Sequence, residues 1–180
     1  FGTVVLQPAE KEPARIERML RWLAYGASPR RVDAPVHGEI LIPWIPSGYG
    51  PPRLPATEKR WVLFNGEARA YHVMVGNEKV PVVVPVDFRF DNVVKKAFFQ
   101  DEATLEAAIA EARAARRLGA ETPTLDPQAG TLVKTRPLLL STGRRVRAGE
   151  RVLSFDILTG DQLFVDRVSY HLLRPKIGVR

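Results

Sequence analysis

The sequence predicts an α+β protein: an antiparallel β-meander with two helices packed on it, followed by a small β-barrel or sandwich-like lobe at the C-terminus. Three observations lead to this class. Apolar residues recur at helical spacing in residues 10–27 and 101–118. Short apolar strands separated by glycine-containing turns occupy residues 59–88. A polar linker at residues 121–130 precedes four further short strands.

The first predicted helix covers residues 10–27. Pro13 suits its first turn, and Gly26 suits its end. The apolar face is formed by four residues: Ile16, Leu20, Leu23 and Ala27. A basic ridge lies off that face, at Arg15, Arg18 and Arg21. The ridge is interpreted as a solvated flank, with phosphate contact as the alternative.

The second predicted helix covers residues 101–118. Acidic residues at its start and arginines at its end match the helix dipole, and Gly119 is the expected cap. Leu105, Ile109 and Ala112 fall on one face, which we expect to be buried. Nothing in this helix indicates chemistry, so it is interpreted as scaffold.

Between the helices, residues 39–45 predict a strand that Pro43 confines to an edge or an early end. Residues 46–57 contain four prolines and two glycines, which predicts a long loop or extended arm. Tyr49 and Arg53 are the candidate interaction residues of this arm. They suit stacking on a base or insertion into a neighbouring subunit, and the arm wrapping on its own domain is the alternative.

Three strands are predicted after the arm, at residues 59–64, 67–75 and 78–88. Asn65-Gly66 is a type I′ turn signal, and Gly76-Asn77 is a second two-residue turn. Two prolines in residues 80–86 keep the third strand from the centre of a sheet. Residues 1–120 are therefore predicted as the α+β core, and residues 131–180 as a basic β lobe or part of one integrated domain.

The C-terminal lobe is predicted to contain strands at residues 131–140, 144–147, 151–158 and 162–173. The net charge is +7, and residues 131–180 hold ten Lys or Arg against four Asp or Glu. Four arginines flank the predicted turn at residues 148–149: Arg144, Arg145, Arg147 and Arg151. Since arginine binds phosphate well, this turn predicts sequence-independent nucleic-acid binding. A solvated basic face, or pairing with acids of a neighbouring subunit, is the alternative.

Residues 143–168, GRRVRAGERVLSFDILTGDQLFVDRV, are similar to the early part of Hint (intein-like) self-splicing modules. Those modules have a glycine-acidic-x-V-L strand followed by a D-x-x-T-G turn. The splicing nucleophile expected upstream and the Thr-x-x-His block expected downstream are not evident, which favours a generic hairpin pattern. The same segment also resembles the small barrels of phage head–tail joining proteins, again without a specific motif.

No motif for a catalytic site, cofactor or metal is evident, so we expect no cofactor and no metal. The chain has no cysteine, which excludes disulfides, thiolate zinc sites and cysteine nucleophiles. Asp87, Arg89 and Asp91 are predicted on one strand face, as an ion-pair ladder, an acid/base pair or a divalent-metal cradle. The three histidines, His37, His72 and His171, show no ligand spacing.

These observations leave three functional hypotheses. The first is a non-enzymatic structural subunit of a large oligomeric assembly, of virion, tail or connector type. The second is sequence-independent nucleic-acid binding through the basic lobe, and the third is an enzyme with an Asp/His site. No apolar run approaches the roughly 18 residues of a membrane span. The composition, with three Asn, four Gln, two Met and abundant Glu and Arg, fits a thermophilic or high-GC source.

Overall fold

The computed structural model describes residues 4–6, 16, 27–46, 50–61, 64–126 and 129–158. The described strands, all paired antiparallel, are β1 (Val4–Leu6), β2 (Ala27–Asp33), β3 (Gly38–Trp44), β4 (Leu54–Trp61), β5 (Phe64–Val75), β6 (Glu78–Pro85), β7 (Thr122–Leu125), β8 (Leu132–Thr135), β9 (Leu138–Val146) and β10 (Arg151–Leu158). The described helices are α1 (Phe90–Phe98) and α2 (Glu102–Ala114). This β-rich architecture confirms the broad α+β class.

The strands form three sheets. In the largest, β4, β5, β3 and β9 follow in that order, and β6 pairs with β5. A second sheet has the order β1-β10-β2, and β7 pairs with β8 alone. None of the sheets in the described part of the chain closes into a barrel. The predicted helix at residues 10–27, apart from Ile16 and Ala27, and the predicted strand at residues 162–173 lie outside the described residues. Ala27, predicted at the end of that helix, is instead the first residue of β2, and Ile16, predicted on its apolar face, is exposed. The division into two lobes stays a prediction.

A long bent ribbon joins the two larger sheets. Residues 27–33 pair antiparallel with residues 151–158 as β2 with β10, and residues 38–44 pair antiparallel with residues 138–146 as β3 with β9. At the bend, the Ala34 amide donates to the Glu150 carbonyl at 2.8 Å, and the Gly149 amide donates to the Ala34 carbonyl at 2.8 Å. The two sheets are therefore connected by two chain segments, residues 33–38 and 146–151, and by these backbone hydrogen bonds.

One hydrophobic core collects side chains from both larger sheets and both helices. Phe155 of β10 is fully buried there, with its ring centroid 5.5 Å from that of Phe88 and 6.1 Å from that of Phe90. Phe90 in turn lies 4.8 Å from the Tyr71 ring of β5. These aromatic contacts connect the sheet of β10 to the sheet of β5 through the start of α1.

Helix α2 confirms the predicted buried face. Leu105, Ile109 and Ala112 are buried, and the Asp101 side chain accepts a hydrogen bond from the Thr104 amide at 2.7 Å as the N-cap. The predicted end at Gly119 is wrong. The helix ends at Ala114 because Arg116 adopts a positive φ of 49°, the backbone conformation that a glycine cap usually supplies.

The positive φ of Arg116 leads to a testable prediction about stability. The Arg116 amide donates to the Arg113 carbonyl at 3.1 Å, and the Arg117 amide to the Ala112 carbonyl at 2.9 Å, which is the hydrogen-bond pattern of a Schellman motif. Because a side chain is strained at this φ, we expect Arg116→Gly to raise the free energy of unfolding by about 0.5–1 kcal/mol. Urea denaturation measures the change. Arg113→Gly, inside the helix, is the control and is expected to lower stability; an equal loss in both variants would contradict the strain.

Several predicted boundaries need correction. Asn65-Gly66 is not a turn, because both residues lie within β5, opposite Lys59 and Glu58 of β4. The predicted arm at residues 46–57 is also shorter than expected, since β4 begins at Leu54. By contrast, the turn at Gly76-Asn77 is confirmed, and Gly76 has a φ of 58°.

The edge-strand predictions made from the prolines of β6 and from the proline of β3 have different outcomes. Among the described strands β6 pairs only with β5, so Pro81 and Pro85 lie on an edge strand as predicted. Pro43 was expected at an edge or at an early end of its strand, and β3 is an interior strand between β5 and β9 that ends one residue later, at Trp44. Its pairing with β5 is confined to Ile40 and Leu41, so the missing amide of Pro43 lies beyond that ladder.

The predicted turn at Thr142-Gly143 is a β-bulge inside β9. The register against β3 shifts between Glu39 and Leu41, and Gly143 has a φ of 66° at this shift. The Thr142 hydroxyl donates to the Ile40 carbonyl at 2.9 Å, so a side chain supplies a hydrogen bond where the regular ladder is interrupted. The strand therefore continues through a sequence that otherwise signals a reversal.

Candidate functional site

The basic turn connects β9 to β10 at the predicted residues, but it is not the tip of a hairpin, because β9 pairs with β3 and β10 pairs with β2. Gly149 has a φ of 80°, which suits the tight turn at residues 148–149. Arg145 and Arg147 are exposed on either side of the buried Val146, so the two side chains leave the same face of the strand. These two arginines form a projecting basic pair, which is the part of the turn available to a partner.

The other two arginines of the turn are half-buried. The Arg144 guanidinium donates to the Arg151 carbonyl at 3.1 Å and so closes the base of the turn. Arg151 lies opposite Asp33 of β2 in the ladder. Arg144 therefore has a structural contact within the chain. Arg145 and Arg147 are the exposed members of the predicted set of four, and the binding role of that set stays a prediction.

Carboxylates lie beside the projecting pair. The Glu150 carboxylate accepts a hydrogen bond from the Arg147 amide at 2.8 Å. Glu39 is the cross-strand partner of Arg145, and its carboxylate accepts a hydrogen bond from the Ser141 hydroxyl. Because acids alternate with the arginines at this end of the ribbon, the local positive potential is lower than the arginine count suggests.

Of the arm residues, Tyr49 lies outside the described residues, and Arg53 is placed against the β7–β8 hairpin. The Arg53 amide donates to the Thr124 hydroxyl at 2.8 Å, and the Leu125 amide donates to the Arg53 carbonyl at 2.8 Å. The Arg53 guanidinium also donates to the Leu125 carbonyl at 3.3 Å. Arg53 thus attaches the hairpin to the rest of its own chain.

The predicted strip of Asp87, Arg89 and Asp91 is not on a strand. Asp87 lies in a turn, Arg89 precedes α1, and Asp91 is in the first turn of that helix. Phe88 and Phe90 alternate with them because both rings enter the core, and this alternation resembles that of a strand. The three charged residues therefore have no common strand face for a ladder, an acid/base pair or a cradle.

Two of the three histidines, His37 and His72, lie within the described residues, and neither belongs to a group of three or more possible metal ligands. His72 of β5 is half-buried, and this burial lowers its pKa, with Lys79 acting in the same direction. His37 is exposed in a bend, and His171 lies outside the described residues. Within the described ranges no group of three or more His, Cys, Asp or Glu side chains is placed to hold a metal ion.

A small cleft of about 160 Å³ lies between α1, α2 and the segment after β3. Its lining includes Trp44, Gly50, Asp91, Lys95, Glu102 and Glu106. The Lys95 ammonium forms an ion pair with the Glu102 carboxylate at 3.2 Å across the gap between the helices. This volume is well below the 300–1,000 Å³ of ordinary ligand pockets, so the cleft is interpreted as a surface crevice.

The feature that sequence reasoning missed is the outer edge of β8. Leu132 is 57% exposed and Val133 is 38% exposed, although both are large apolar residues on adjacent positions of a strand. Among the described strands, only β7 pairs with β8. The run Thr131-Leu-Val-Lys-Thr135 carried a strand signal, but its exposure depends on which strands neighbour it in space.

The backbone of β8 presents hydrogen-bonding groups at this edge. The Asp126 amide donates to the Thr131 carbonyl at 2.8 Å, so residues 126 and 131 form a hydrogen-bonded pair of the antiparallel ladder. Such pairs alternate with non-hydrogen-bonded ones, so Leu132 and Lys134 fall at the non-hydrogen-bonded positions and direct their N–H and C=O groups outward. Lys134 lies opposite Pro123, which has no amide to donate, in agreement with this assignment.

None of the helices in the described ranges is both long and apolar enough to cross a bilayer. Comparison of the chain with protein-family models, with curated proteins and with solved structures finds no match.

Proposed function

We propose that this chain is a non-enzymatic structural subunit of a larger oligomeric assembly, of the virion, tail or connector kind. The observation that carries the proposal is the open β8 edge, where outward backbone groups coincide with the exposed side chains of Leu132 and Val133. An open strand edge with exposed apolar residues is a template for pairing with another chain. The further expectation of a small C-terminal β lobe, resembling head–tail joining proteins, belongs to this proposal.

The contrast between the edges of this protein supports the proposal. On β6, two prolines protect the edge, and the outward position of Pro81 is exposed. On β8 there is no proline and a single charged residue, Lys134. A protein that protects one edge and leaves another open has a surface suited to a specific partner.

Nucleic-acid binding by the basic turn is the second candidate, and the shared face of Arg145 and Arg147 favours it. Each phosphate contact lowers log K by roughly 0.9 per tenfold increase in salt. Two projecting arginines therefore correspond to a slope of about −2, which is a weak and strongly salt-sensitive interaction. Assembly explains the exposed apolar edge, which nucleic-acid binding does not.

Native mass spectrometry at low and high salt tests the two candidates. For an assembly subunit we expect a discrete oligomer without nucleic acid, unchanged by salt, because strand pairing and apolar contact depend little on ionic strength. The Arg145→Glu variant is expected to leave this oligomer intact. Arg113→Glu, at an exposed site on α2, is the matched charge control.

Nucleic-acid binding predicts a different result in the same experiment. A monomer or dimer that carries nucleic acid, loses it at high salt, and loses it in Arg145→Glu but not in Arg113→Glu would overturn assembly in favour of nucleic-acid binding. A bare monomer at both salt concentrations would overturn both candidates.

A further inference from the structure

The outer edge of β8 can pair with an identical strand. Antiparallel pairing places outward-directed residues of one strand opposite outward-directed residues of the other. In β8 these are Leu132 and Lys134, two positions apart. Two copies related by a twofold axis at Val133 would therefore place Leu132 of each copy opposite Lys134 of the other.

The register with the twofold axis at Val133 is more favourable than the two adjacent registers, which have the axis at Lys134 or at Leu132. A twofold axis at Lys134 would place two lysines directly opposite each other, which is destabilising. An axis at Leu132 would move the pairing to residues 131–133 and leave Lys134, with its outward N–H and C=O groups, beyond the paired segment. With the axis at Val133, each lysine stem lies against a leucine, and the two valines meet on the opposite face.

We propose that a second copy of this chain pairs with β8 antiparallel, with Val133 on the twofold axis, to form the four-stranded sheet β7-β8-β8-β7. This inference rests on the proposed assembly function and names its partner and register. The pairing adds four backbone hydrogen bonds, from the N–H and C=O groups of Leu132 and Lys134 in the two copies. It also extends a two-stranded hairpin, which is marginally stable by itself, into a larger sheet.

The absence of cysteine from the sequence provides a direct test, since an introduced thiol is the only one present. At a non-hydrogen-bonded pair the two Val133 Cα atoms would lie about 4.5 Å apart, within the range of a disulfide. The two Leu132 Cα atoms would be diagonal neighbours at about 7–8 Å, beyond that range. We expect Val133→Cys to form a covalent dimer under mild oxidation and Leu132→Cys to remain monomeric on a non-reducing gel.

The control is stringent because Leu132 is the more exposed of the two residues. Random collision would therefore cross-link Leu132→Cys at least as fast as Val133→Cys. Equal cross-linking of the two variants, or faster cross-linking at position 132, would overturn the proposed register. If native mass spectrometry of the unmodified chain still shows an oligomer in that case, the assembly function stands with a different interface. A monomer would overturn both.

A second pair of variants tests the backbone contribution. Lys134→Pro removes an outward N–H without removing a hydrogen bond between β7 and β8, whereas Lys134→Ala keeps the N–H and removes the charge. We expect Lys134→Pro to lose the native dimer but remain folded as a monomer, and Lys134→Ala to retain the dimer and melt close to the parent chain. Retention of the dimer by a folded Lys134→Pro would overturn the inference.

Discussion

Replacing Phe155 with alanine is expected to lower the free energy of unfolding by about 3–5 kcal/mol. The side chain is fully buried at the centre of β10, between β1 and β2. Its ring is in contact range of Phe88 and Phe90, with centroids at 5.5 and 6.1 Å. Truncation would leave a cavity between the β1-β10-β2 sheet and the start of α1, and the aromatic contacts that connect the two larger sheets would be lost.

Urea denaturation measures this loss, and Phe155→Leu is the control because it keeps most of the buried volume. We expect the leucine variant to lose less than about 1.5 kcal/mol. Both variants are expected to unfold in a single transition with a similar dependence on urea concentration. A loss of less than about 1.5 kcal/mol for alanine would mean that the two sheets do not share the core seen here.

Gly38→Ala is the second substitution with a large expected effect. A Cβ atom at Gly38 would lie 2.6 Å from the backbone nitrogen of Gly76 and 2.8 Å from its Cα atom. These are backbone atoms of the turn between β5 and β6, and the Gly76 amide also donates to the Glu39 carbonyl at 3.0 Å. The turn would have to move away and weaken that hydrogen bond, so we expect a loss of about 2–3 kcal/mol.

The comparison is Gly119→Ala, where the added Cβ would meet side-chain atoms of Leu139 and Pro137 at 3.3 Å. Side chains can shift more cheaply than backbone, so a smaller loss is expected there. The melting temperatures of the two variants provide the test. Similar losses at both positions would show that the close approach of β3 to the β5–β6 turn relaxes without cost.

The sequence alone predicted correctly the elements that are determined by residues close together in the chain. The face of α2 at Leu105, Ile109 and Ala112 followed from helical spacing, and the turn at residues 76–77 followed from its glycine. Helix α1 was missed because Phe88 and Phe90 alternate with charged residues as in a strand. The pair Val93 and Val94, three and four residues after Phe90, carried the helical spacing that outweighs this alternation.

The two wrongly predicted turns, at Thr142-Gly143 and Asn65-Gly66, have a common physical cause. Glycine permits a positive φ equally in a turn and in a bulge, and the partner strand decides which one forms. Gly143 lies in a bulge because β9 remains paired with β3 on both sides of it. Asn65-Gly66 lies within β5 because β4 extends alongside it. These partners are distant in sequence, so a single chain segment does not reveal them.

The same reasoning applies to the candidate surfaces. The shared face of Arg145 and Arg147 could be predicted, because it depends on the two-residue period of one strand. The use of Arg144 inside the turn and the presence of Glu39 opposite Arg145 depend on tertiary pairing. The open edge of β8 depends on the whole sheet order, and therefore appeared only in the structure.

The bent ribbon has a consequence for how the protein is made. During translation, residues 27–44 leave the ribosome roughly a hundred residues before residues 138–158, with which they pair. At synthesis rates of about 5–20 residues per second, these strands wait roughly 5–20 s without their partners. Closing so long a loop also slows folding after release. A chain that stops before β9 therefore cannot complete either of the two larger sheets.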